Sequence, residues 1–66
     1  MRGKVVAFDE ARGWGELESE DGRVLPFHCT QIADGTRTIE VGTEVDHDVR
    51  PGGMGRWEAG ALVKSA

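Results

Sequence analysis

Little in this chain marks it out by the usual signs. Its single cysteine, Cys29, rules out an internal disulfide and fits a reducing, cytoplasmic compartment. No apolar run approaches the length of a membrane span, and no signal-peptide pattern follows Met1. Repeats, linkers, low-complexity tracts and helical periodicity are missing as well. Cations are scarce: 8 Lys and Arg against 12 Asp and Glu, a net charge of −4. Phosphate neutralisation supplies most non-specific affinity for nucleic acid, so this balance excludes a generic polyanion binder. A binder whose few cations are gathered on one face is not excluded, and Lys4, Arg12, Arg37 and Arg56 are the residues to look for together. At 66 residues the chain is expected to be one domain over residues 1–66, near the lower limit for folding without disulfides or metal.

What the chain does have is glycine. Ten of them suggest many tight turns and hence a β protein. Alternation predicts a first strand over residues 2–9, with Lys4, Val6 and Phe8 on one face. A second, over 14–19, carries Trp14, Glu16 and Glu18 on one side and Leu17 on the other. Asp21-Gly22 signals a hairpin into a third strand over 24–29, with Leu25 and Phe27 toward the core and Pro26 and His28 away from it. Residues 30–32 read as a short helical turn and 33–42 as a long loop. The fourth strand, 44–50, turns Val45, His47 and Val49 one way; the fifth, 56–64, turns Trp57, Ala59, Ala61 and Val63 one way. Five short antiparallel strands suit a small barrel, because closure removes exposed edges. Proline cannot donate to a ladder, so Pro26 is expected where its nitrogen points away from a partner, or at a bulge.

The informative stretch is Arg12-Gly13-Trp14-Gly15-Glu16-Leu17 together with Pro26-Phe27-His28-Cys29. An aromatic between two glycines, with a cation just before it, reads in two ways. It is a stacking platform for single-stranded nucleic acid beside a phosphate contact, with the glycines admitting a flat base. Or it is a tight turn running into a strand whose Trp is core.

The order of Gly3-Lys4-Val5, Phe8-Asp9, Arg12-Gly13-Trp14-Gly15, Phe27-His28 with Ile32, and Val41-Gly42 with Val45 resembles the cold-shock domain. That family's usual pattern is G-K-V-K-W-F-N, K-G-F-G-F-I, V-F-V-H-x-S-x-I and L-x-x-G-x-x-V. The first half of the match is specific and the last part loose. The resemblance implies an all-β, five-stranded antiparallel barrel of the OB-fold type. It also implies single-stranded RNA or DNA as partner, and a role as RNA chaperone or as regulator of transcription or translation in a bacterial cytoplasm. By direct match the binding residues would be Phe8, Arg12, Trp14 and His28, with Lys4, Arg37, Arg56 and Trp57 as lesser candidates. Trp57 either replaces lost binding surface or, by its parity with Ala59 and Ala61, belongs to the core.

Departures from the pattern are as telling. Ala7 stands for the first-strand Trp and Val6 for the Lys before it. Glu16, Pro26, Cys29 and Thr36 occupy positions that usually carry aromatics. Each base–aromatic stack is worth roughly 1–3 kcal/mol, so several losses weaken binding by a few orders of magnitude. The competing reading is a protein-interaction module on the same barrel. The state is open between monomer and a weak or strand-swapped homodimer. No cofactor, metal or enzymatic activity is expected. His28, Cys29, Asp46, His47 and Asp48 match no metal spacing. His28 and Cys29, adjacent on a strand, point apart rather than forming a nucleophile–base pair. Residues 52–56 lack the Lys-Ser/Thr of a phosphate loop.

Overall fold

A computed structural model describes residues 1–64. The strands are β1 (Arg2–Asp9), β2 (Trp14–Ser19), β3 (Val24–His28), β4 (Glu44–Pro51) and β5 (Trp57–Lys64), with short 3₁₀ turns at Cys29–Gln31 and Gly53–Gly55. All pairings are antiparallel, in the order β3-β2-β1-β4-β5. Among the described residues the ladder does not continue from β3 to β5. The turn after β3 spans that seam instead. Ile32 bridges Leu62 in parallel, the Ala33 amide donates to the Leu62 carbonyl at 2.7 Å, and the Ala61 amide donates to Gln31 Oε1 at 3.3 Å.

Alternation holds without a break on β2, β3 and β4. Leu17, Leu25, Phe27 and Val45 point into a core that Val5, Ile32, Ile39, Ala59 and Leu62 complete, and the Cys29 thiol is buried beside it. It fails on the other two strands, each time at a bulge. On β1, Val5 pairs with Leu17 but Ala7 pairs with Glu16, so Val6 is an extra residue. Lys4 and Val6 therefore stay exposed while Phe8 turns inward and stacks on Phe27, with centroids 6.1 Å apart and planes 14° from parallel. The expected common face of Lys4, Val6 and Phe8 does not exist.

On β5 the register shifts between Asp46 and Asp48 of the facing strand, and Ala61 takes a positive φ of 51°. Leu62 is thereby buried and Val63 exposed, the reverse of the expected parity. Trp57, which precedes the bulge, is also exposed, at 55%. The core alternative for Trp57 is wrong, because residue 57 lies at the mouth of the barrel beside the loop, opposite Pro51.

Pro26 sits as expected. Backbone hydrogen bonds from the Cys29 amide to the Gly13 carbonyl and from the Ser19 amide to the Arg23 carbonyl set the rhythm of the β2–β3 pair. Two-residue alternation from these makes Glu16–Pro26 a non-hydrogen-bonded pair, in which a residue-26 amide would point away from β2.

The long loop is tied at two points. Ile39 is buried in the core. Asp34 accepts from the Thr36 hydroxyl at 2.7 Å and amide at 3.0 Å, and Lys64 Nζ lies 3.1 Å away. The Thr36 hydroxyl, the Thr36 amide and then Lys64 hold the Asp34 carboxyl at about 2, below its ordinary 3.8. A depressed carboxyl contributes stability above its unfolded value and loses it as pH falls through its folded value. Protection factors of the loop amides, taken relative to intrinsic exchange at each pH, should therefore fall as pH drops from about 4 to about 2, and an NMR titration of Asp34 should show its midpoint near the lower figure. A midpoint at the ordinary aspartate value would disprove the tie.

Candidate nucleic-acid interface

Trp14 and His28 face each other across β2 and β3 in a non-hydrogen-bonded pair, where side chains come closest. Their rings meet edge to face, centroids 5.0 Å apart at 76°, and Trp14 remains 44% exposed. His28 Nδ1 lies 2.8 Å from the Thr30 hydroxyl and accepts from the Thr30 amide at 3.3 Å. In the neutral ring the proton then sits on Nε2, a donor.

Around Trp14 opens a hollow lined also by Phe8, Arg12, Glu16 and Pro26. A second hollow shares Glu16 and Pro26 and continues to Val24, Arg56 and Trp57. One outer face thus runs from Trp14 to Trp57, with a cation at either end and a carboxylate in the middle. Val24 and Pro26, on the outward side of β3, add apolar surface that sequence reasoning did not assign to the site. The signal was present in the strand parity, which put Pro26 on the same face as His28.

The glycines beside Trp14 do a different job from the expected one. A Cβ on Gly15 would lie 2.6 Å from Phe27 Cζ, 2.8 Å from the Ala7 carbonyl oxygen and 2.8 Å from Phe8 Cδ1. Gly15 is buried and admits the core, not a base. Gly13 has a φ of +71° and would meet the Cys29 sulfur at 2.9 Å. They hold the turn and the strand so that Trp14 is left outside.

The cations are not gathered. Arg2, Arg12, Arg23, Arg50 and Lys64 lie 2.7–3.8 Å from Asp46, Asp9, Asp21, Asp48 and Asp34 respectively. Among the described residues Lys4, Arg37 and Arg56 have no such partner. Lys4 nevertheless stands between Glu18 and Glu44 in the ladder and borders neither aromatic hollow. Arg37 lies exposed in the long loop, also outside both. Arg12 and Arg56 alone of the four border the face. The Arg12–Asp9 pair, at 3.8 Å with the arginine side chain 83% exposed, is weak enough to yield to a phosphate.

An antiparallel sheet of five strands, with Trp14 on β2 facing His28 on β3, is the architecture implied by the sequence motifs. The family model described as the 'Cold-shock' DNA-binding domain matches residues 1–65, and the chain belongs to that family. It is 38% identical over 65 residues to the cold shock protein CspB of Bacillus caldolyticus, covering 97% of each chain. It is 36% identical over 65 residues to the cold shock-like protein CspC of Bacillus cereus, covering 97% of this chain and 98% of that one. Among the described residues no helix is long and apolar enough to cross a membrane, and no group of three or more potential ligands could hold a metal ion.

Proposed function

We propose that the protein binds single-stranded RNA or DNA along the outer face from Trp14 to Trp57, as a bacterial cytoplasmic chaperone or regulator of nucleic acid. The observation that carries this is Trp14 itself. A large aromatic left 44% exposed at the start of β2, on the outer face of the sheet and braced edge-on by His28, leaves its flat side free for a base. Trp57 offers a second such surface beyond Pro26. Arg12 and Arg56 supply phosphate contacts, and His28 Nε2 a hydrogen-bond donor. Membership of a family described as DNA-binding supports the same reading.

The affinity is modest, since Ala7, Glu16, Pro26 and Cys29 replace stacking surfaces. Arg56, which has no carboxylate partner among the described residues, and Arg12, whose exposed pair with Asp9 yields to a phosphate, give about two phosphates contacted, so log affinity should fall with log salt at a slope of about −1.4. Fluorescence titration of Trp14 and Trp57 with a thymidine heptamer at several low salt concentrations measures both quantities. A slope steeper than about −3 would mean a larger basic surface than Arg12 and Arg56 provide. No quenching at the lowest salt would leave the face to a protein partner.

A further inference from the structure

We infer that Glu16 reads the edge of a stacked base and makes this face prefer guanine, an inference that rests on the nucleic-acid reading above. Glu16 is exposed at the centre of β2 and borders both aromatic hollows. It lies two residues from Trp14 on the same side of the strand, about 7 Å away at the pleat spacing. Its cross-strand neighbours are Ala7 and Pro26, neither of which has a polar side-chain atom. Among the described residues the Glu16 carboxylate makes no hydrogen bond or ion pair. It is an unused acceptor standing between two stacking surfaces.

A carboxylate only accepts, so it sorts bases by the donors on their exposed edges. Bases splayed from a single strand are read on their Watson–Crick edges. Guanine presents N1–H and N2–H side by side, which matches the two carboxylate oxygens. Cytosine and adenine each present one amino group next to a ring acceptor that repels the second oxygen. Thymine and uracil present a single N3–H between two carbonyls, the poorest match. A residue that costs affinity toward phosphate thereby contributes discrimination at the base.

The test compares a thymidine heptamer with the same heptamer carrying one central guanine, by tryptophan quenching at low salt. Both carry the same phosphates, so their difference reports the base alone. The guanine heptamer should bind about tenfold tighter, toward the low end of discrimination by a bidentate pair. Glu16→Gln, exposed and close in shape, should bring the two within about twofold while leaving the thymidine heptamer bound at least as tightly. Equal binding by the parent overturns the inference and leaves the nucleic-acid reading standing. A guanine preference that survives Glu16→Gln overturns it as well, since another group would then be the reader. If neither heptamer binds the parent, the nucleic-acid reading falls and this inference falls with it.

Discussion

Trp14→Ala should bind a thymidine heptamer roughly ten- to a hundredfold more weakly than the parent, the loss of one stack. Its stability should change little. With the ring 44% exposed and its contact with His28 edge-on, removal should cost no more than about 1 kcal/mol of folding. A core tryptophan behaves in the opposite way: truncation costs about 3–5 kcal/mol, and binding is lost only because the fold is. The two measurements, quenching of the remaining Trp57 and a urea melt, are independent. A variant that unfolds, or one that folds and binds like the parent, would sink the assignment of Trp14 to the interface.

The residue next to it should show the reverse. Gly15→Ala adds one methyl group against Phe27, Phe8 and the Ala7 carbonyl, all within 2.8 Å. Overpacking of this kind costs about 1–3 kcal/mol. The upper end applies here, because the Ala7 oxygen is backbone and can retreat only by disturbing β1. A chain of this size holds only about 3–10 kcal/mol in total, so a large share goes. The melting temperature should drop by at least about 12 °C. An unchanged melting temperature would show that the close approach of β1, β2 and Phe27 is not as described.

These neighbouring residues also mark how far the sequence could be read. The five strands, the Asp21-Gly22 hairpin and the inward residues of β2, β3 and β4 follow from period-two alternation and turn chemistry, and the structure agrees. The family resemblance carried the fold further than the pattern could. What failed were the faces of β1 and β5, and both failures have one cause. A bulge adds a residue without changing composition, so nothing in Val5-Val6-Ala7 or Gly60-Ala61-Leu62 announces that parity will flip. Phe8, Leu62 and Val63 were misplaced for that reason. The role of Gly15 was misread because a glycine that admits a ligand and one that admits a neighbouring ring look alike in sequence. The partners of the cations were not legible either. Four of the five aspartates lie within three residues of their cations or straight across a ladder, but proximity alone does not specify pairing.

The orientation of Pro26 has a consequence for self-association. On β3 the amides that face away from β2 belong to Val24, residue 26 and His28, and the proline deletes the central one. The opposite edge, β5, is interrupted at Ala61, whose amide is already held by Gln31. Each rim of the sheet therefore lacks the unbroken row of donors and acceptors that a strand from another copy needs in order to add on. So small a β protein, with two tryptophans in the open, is the kind that edge-to-edge pairing turns into aggregates. Here an imino acid on one rim and a kink on the other interrupt the donor rows while the aromatic face stays open.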